Sequence, residues 1–359
     1  MTEHTIDNHQ YFKKQLSKYL YLIRGIAIIL VVVGHVIGYN ISYGMRQIYN
    51  SNLSLLGWIC DLINTFHMPT FFIASGIAFA AFSNKNLTYQ KFFTSKFQKL
   101  LVPLLVWCPL YFIFQSLAKS RTFSIFDIIN SVIYPYEIFW FLHVLIFSTL
   151  LSFIYFKNWR SVESYLILSV ALFIISVLAN NKSIQDYFFW NIFYAFGIFI
   201  NRYLWKIETI FCKNSHIVNQ VLTQCLFLSI LIACESLLPK DASVDYLRLI
   251  NGTVGFMFLY LLSIQLINYV DRSSSEKGEL WQKITEYLQY CGTASMAIYL
   301  FHGYFTGITK VLLLRTANLP NPILYFLIVS LAGILFPLLI YNTFKTRSKL
   351  FLYSIGAAK

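Results

Sequence analysis

Residues 21–39 read YLIRGIAIILVVVGHVIGY, and this stretch decides how the chain is read. About 20 mostly apolar residues are enough for a helix to cross the hydrocarbon of a bilayer. Within this run stand an arginine, Arg24, and a histidine, His35, with no other ionisable group between them. They are 11 residues apart. At about 100° per residue this is three turns plus about 20°, so both side chains share one helical face, about 16 Å apart along the axis. Ionisable groups inside a membrane are costly and point by default to function. The competing reading is a snorkelling arginine and a buried, hydrogen-bonded structural histidine.

The rest of the chain has the same character. Of its 359 residues 57% are hydrophobic, 18% aromatic and only 12% charged, with a mean hydropathy of +0.61. Soluble domains run near 25% charged, so this composition excludes a soluble globular protein, a disordered chain and a coiled coil. Ten apolar runs are long enough to span: 19–39, 62–82, 99–117, 138–156, 162–180, 187–205, 217–238, 246–270, 295–314 and 323–344. Hydrocarbon forbids unpaired backbone, and these runs lack the short strict alternation of barrel strands, so all are expected to be helices. The expected fold is an all-α polytopic integral membrane protein of about ten transmembrane helices. Its expected segments are an amino-terminal one (1–18), the membrane domain (19–344) and a carboxyl-terminal tail (345–359). The loop 271–294 reads as a short amphipathic helix. The amino terminus does not read as a cleaved signal peptide, because it carries acidic residues and lacks a small-residue cleavage site.

The net charge of +13 has a topological reading. Nineteen Lys and Arg fall on the side holding both termini and six on the other, with Arg24, Arg248 and Lys310 inside spans. The positive-inside rule then puts both termini in the cytoplasm and requires no nucleic-acid partner. The six cysteines form no C-x-x-C pair and read as small membrane hydrophobes, so no metal is expected.

Other candidate residues follow from the spans. His67 precedes Pro69 in FHMPTFFIASG (66–76); the proline removes a helix donor and frees the carbonyl of Thr65, which predicts a kinked or opened helix. His143 follows Trp140 in the outer half, where a structural hydrogen bond is the competing role; His302 lies nearer the inner half. Asp61, Glu137, Arg248 and Lys310 gather on the outer side, as a polar vestibule for a hydroxylated substrate or as interfacial anchors. Lys96 and Lys99, with Lys91 and Arg24, suit a cationic collar for phosphates, or ordinary positive-inside topology. The chain has no phosphate-binding Walker loop, G-x-G-x-x-G, H-E-x-x-H or G-x-S-x-G, which argues against ATP-driven, NAD-dependent, zinc and serine-hydrolase chemistry.

Five motifs in order resemble the membrane acyltransferase-3 family: Arg24-x10-His35, FHMPTFFIASG (66–76), KFQKLLVPLL (96–105), FWFL (139–142) and GTASMAIYLFH (292–302). The resemblance covers roughly residues 19–344. It implies a ten-helix enzyme that takes an acetyl group from cytoplasmic acetyl-CoA and places it on a sugar hydroxyl of a surface glycan, in the bacterial inner membrane among lipid. It is nearest the stand-alone lipopolysaccharide O-antigen O-acetylases. On this reading His35, Arg24 and His67 are catalytic. Arg24, Lys96, Lys99 and His302 serve the CoA donor. Asp61, Glu137, Trp140, His143, Arg248 and Lys310 serve the glycan acceptor. One departure concerns the family's Arg-x-x-Arg, which is here Lys96 and Lys99; lysine lacks arginine's two-pronged grip on phosphate. A neutral imidazole at His35 suits a base that deprotonates the attacking hydroxyl. The alternative is a transporter or flippase for a lipid-linked glycan or small sugar, which also uses intramembrane charges, although no inverted repeat is visible.

Overall fold

The computed structural model describes residues 3–49, 54–83, 88–159, 161–179, 181–213, 217–237, 246–272, 276–316 and 321–357. The described residues form helices and connecting turns, with no strand among them. In chain order the helices are α1 (Glu3–Ile37), α2 (Gly44–Tyr49), α3 (Ser54–Phe82), α4 (Tyr89–Lys96), α5 (Val102–Ala118), α6 (Ile125–Ile133), α7 (Trp140–Asn158) and α8 (Val162–Leu178). They continue with α9 (Lys182–Ile200), α10 (Leu204–Glu208), α11 (Ile217–Leu237), α12 (Tyr246–Arg272), α13 (Glu276–Thr293), α14 (Ser295–Thr316), α15 (Pro322–Phe344) and α16 (Lys349–Ser354).

Each of the ten apolar runs overlaps a helix among the described residues; the run 187–205 crosses the turn after α9 into α10. Eight helical stretches among the described residues are long and apolar enough to cross a membrane. The other two expected spans are α8, which has only 17 residues, and α9, whose first turns carry Lys182, Gln185 and Asp186. The segment 239–245, expected on the outer side, lies outside the described residues.

The chain forms two compact units. One comprises residues 1–81 and 196–295, the other residues 82–195 and 296–359. In the first unit α1 packs along α13, the amphipathic helix expected in the 271–294 loop. The approach is as close as backbones allow. A Cβ on Gly25 would stand 1.8 Å from the carbonyl oxygen of Leu288, and one on Gly292 would stand 1.8 Å from that of Tyr21. Small residues at a crossing allow such contact between helices. α1 ends at Gly38, whose φ of +98° a side chain would resist. Its N–H caps the carbonyl of Gly34 at 2.8 Å. α3 runs through Pro69 without a break in its helical assignment.

In the second unit, the stretch 118–136, expected to be a loop, contains α6. Its start is a capping box: Ser124 accepts from the N–H of Asp127, and the Asp127 carboxylate accepts from the N–H of Ser124 at 2.8 Å. The S-x-x-D signal lies in the sequence, and Pro135 follows the helix. A π-helical turn, Phe97–Leu101, joins α4 to α5; Val102 N–H reaches back five residues to the carbonyl of Phe97.

Candidate active site

Arg24 and His35 lie on the single unbroken helix α1, as their spacing requires. His35 is exposed, two residues before the end of α1. Its Nδ1 lies 2.8 Å from the carbonyl oxygen of Val31. A carbonyl only accepts, so this nitrogen carries the proton in the neutral ring, and the lone pair sits on Nε2. The tautomer is thus set by the helix itself, and the basic nitrogen points away from the backbone.

His67 repeats this arrangement on α3. It is 6% exposed, and its Nδ1 is 2.7 Å from the carbonyl of Ile63. His35 and Arg248 both lie within electrostatic reach of it. Thus α1, α3 and α12 bring together three of the expected residues. The contact between α3 and α1 is also direct: the Cys60 thiol is 3.5 Å from the carbonyls of Gly34 and Gly38. α12 meets α3 beside His67, because a Cβ on Gly255 would stand 2.3 Å from Cβ of Phe66.

Arg248, Asn251 and Gly255 recur at helical spacing, so they share the face of α12 turned to α3. Asn251 is fully buried, and neither its amide nitrogen nor its oxygen has a hydrogen-bond partner among the described residues. Arg248 Nε is likewise buried and unmatched. An unpaired buried amide costs about 1–3 kcal/mol, so these groups are held on α12 at a cost to stability. The sequence reading missed Asn251. The available signal was an amide three residues beyond Arg248 within an apolar run.

Asp61 stands on α3 but is bound within the protein: its Oδ1 accepts from Arg46 Nη2 at 2.7 Å, and Arg46 also donates to the carbonyl of Gly57 at 2.5 Å. This ion pair fastens α2 to α3. Among the described residues Arg24 has no carboxylate partner. It sits at the crossing with α13, next to Gly25, half-buried.

The second unit holds the remaining candidates. Lys96 caps the start of the π-helical turn and Lys99 lies within it; Lys99 is exposed, and the Lys96 ammonium stands 5.7 Å from the centre of the Phe92 ring. π-turns are frequent at functional sites. The backbone of Lys99 is covered by Gly356, whose φ of +69° and missing Cβ allow an approach that a side chain would block at 2.4 Å. His143 has both ring nitrogens against carbonyls, Nδ1 to Phe139 at 3.0 Å and Nε2 to Val132 at 2.8 Å. It therefore ties the segment before α7 to that helix. Just upstream, Glu137 is exposed and adopts a φ of +43°; Trp140 packs against Trp190 with ring centres 5.0 Å apart. His302 is 1% exposed, with Nδ1 2.7 Å from the carbonyl of Tyr299. Lys310, on the same helix α14, lies within electrostatic reach of Lys119.

The sequence of the chain is similar to known proteins. Residues 17–342 match the acyltransferase-3 family, described as an acyltransferase domain. The chain is also similar to nodulation protein NolL of Mesorhizobium japonicum (strain LMG 29417 / CECT 9101 / MAFF 303099). The two are 26% identical over 199 residues, covering 52% of this chain and 50% of that protein. The chain thus spans about half the length of the curated relative it matches. No solved structure matches it. With the family covering nearly the whole of a helical, membrane-spanning chain, the protein belongs to the acyltransferase-3 family.

Proposed function

We propose that this protein moves an acetyl group from cytoplasmic acetyl-CoA to a hydroxyl of a cell-surface glycan, such as a lipopolysaccharide O-antigen or its lipid-linked precursor. It would do so in the bacterial inner membrane with both termini in the cytoplasm. The observation that carries this reading is the orientation of His35. Its Nδ1 is held to Val31, which leaves Nε2 basic, and it shares a helix stripe with Arg24.

In this account Arg24 holds a CoA phosphate, and Lys96 and Lys99 add further positive charge on the same side of the membrane. The thin pantetheine arm runs along the stripe toward His35. His35 Nε2 takes the proton of the acceptor hydroxyl as its oxygen attacks the thioester carbonyl. The C–O bond forms, the C–S bond breaks, and the imidazolium returns its proton to the departing thiolate. Arg248 and Asn251 donate N–H groups to the oxyanion between these steps, a contribution of about 10²–10³ in rate per donor elsewhere. His67 supports the neutral ring of His35 from the neighbouring helix. Asp61 acts here through Arg46, holding the outer turn in place.

The test supplies purified protein in detergent with acetyl-CoA and measures CoA release with and without glycan. Glycan-dependent release with an acetyl ester on the sugar is expected. Glycan binding without thioester consumption would favour transport instead.

A further inference from the structure

The second unit contains a cavity of about 420 Å³ that none of the candidate residues above lines. It lies between the end of α5 and α6, and its size falls within the range of small-ligand sites. Its apolar wall consists of Phe112, with Phe123 and Tyr136 set edge-on to it at 5.8 and 5.4 Å between ring centres. Its polar wall includes Gln115, Lys119, Arg121 and Asn130. Gln115 Oε1 accepts from Tyr136 Oη at 3.2 Å and from Lys119 Nζ at 3.3 Å. This fixes the amide and leaves its N–H groups as donors. Rings beside amides and hydroxyls are suited to a sugar, whose carbon face packs on aromatics while its hydroxyls bond to the polar wall.

The charge of the cavity narrows the ligand. Lys119 and Arg121 line it together with a single carboxylate, Asp127, whose Oδ2 is already engaged by Ser124. Lys310 adds a third cation near Lys119. By the charge bias this is the outer side, which holds only six Lys and Arg in its loops. Cations gathered where the sequence otherwise avoids them call for an anion. The membrane level of the cavity follows from α6. Ile125, Phe126, Ile129 and Ile133 share one face and are 63%, 72%, 46% and 59% exposed, whereas Asp127, Asn130 and Ser131 line the cavity. A helix of that pattern lies in the membrane interface with its apolar face in lipid. Among the described residues, the two non-glycine ones with left-handed backbone, Ser120 (φ 52°) and Glu137 (φ 43°), bracket this segment. Such conformations persist where surrounding structure enforces them, often at ligand sites.

We infer that this cavity is a binding site for an anionic sugar, one bearing a phosphate or carboxylate, presented at the membrane surface. The inference deepens the acetyl-transfer reading, and rests on it, by naming the acceptor as an acidic glycan.

The experiment places the full chain in nanodiscs of phosphatidylcholine and measures binding of glucose 1-phosphate, glucuronate and glucose by ligand-observed NMR. The two acidic sugars should bind at least ~10-fold more tightly than glucose, and the preference should fade with salt. In Lys119→Gln/Arg121→Gln the preference should vanish while glucose binding persists, which also reports that the variant is folded. Arg121→Lys should keep part of the preference. Equal binding of all three sugars by the wild type, or an unchanged preference in the double variant, overturns the site. Repeating the titration in phosphatidylglycerol nanodiscs separates the sources of the anion. Sugar binding should survive, and its complete loss would assign the cavity to lipid headgroups and overturn the glycan assignment. Acetyl-CoA turnover by the wild-type protein is read separately. Acid-sugar preference without turnover would sink the acetyl-transfer reading alone, and turnover without that preference would sink this site alone.

Discussion

The Nδ1 of His35 is bonded to the carbonyl of Val31 one turn earlier on α1, at 2.8 Å. A base must present its lone pair in a fixed direction, and this bond fixes it. His67 makes the same bond to Ile63. His143 has both ring nitrogens facing backbone carbonyls, so neither is turned toward an incoming group.

The donor end of the stripe predicts a kinetic split. Arg24→Gln should raise the KM for acetyl-CoA or abolish activity in protein that still inserts. Replacing Lys96 and Lys99 with Gln should weaken CoA binding in a salt-sensitive way, because exposed charge contacts are screened. CoA affinity indifferent to all three changes would leave these cations with a purely topological role.

Asn251 predicts a reversal between stability and activity. Replacing an unpaired buried amide by an apolar side chain of similar shape removes a desolvation cost. Asn251→Leu should therefore leave the Tm unchanged or raise it, while acyl transfer falls by about 10²-fold or more. A lower Tm with proportionate loss of activity would make Asn251 a packing residue.

At the α1–α13 crossing the expected effect is structural. Gly25→Ala and Gly292→Ala each drive a methyl into a carbonyl, so the helices must separate. Overpacking of this kind costs about 1–3 kcal/mol. A lower unfolding temperature in detergent and weaker acetyl-CoA binding, from displacement of Arg24, are expected. Unchanged values for both would show that the crossing tolerates the extra volume.

Topology is open to reporter fusions. Those within 118–136 and 239–245 should report the outside, and those within 271–290 the cytoplasm. A fusion in α13 reporting outside would reverse the order of the spans.

These residues also show what a sequence can display. The Arg24–His35 stripe and the ten apolar runs were legible because hydropathy and the turn angle of a helix are local properties. The amphipathic α13 was legible for the same reason. α6 was overlooked because its signal is a short capping box inside a polar loop. The sequence alone left open whether Gly38 ends α1 or continues it. Asp61 read as a vestibule charge because its partner, Arg46, lies 15 residues away on a separate helix. The approach of Asn251 to α3 is a tertiary fact: one polar residue in an apolar run shows neither its burial nor its lack of a partner.

The central claim is that His35 is the base, and turnover per folded molecule tests it most directly. His35→Ala and His35→Gln would be compared with wild type at matched protein levels, with acetyl-CoA binding measured alongside. A lost general base costs about 10²–10⁴-fold, so both variants should lose acetyl transfer by at least that factor while binding acetyl-CoA nearly as well as wild type. Near wild-type turnover in His35→Gln would contradict the account, moving the base to His67 and leaving His35 as scaffold.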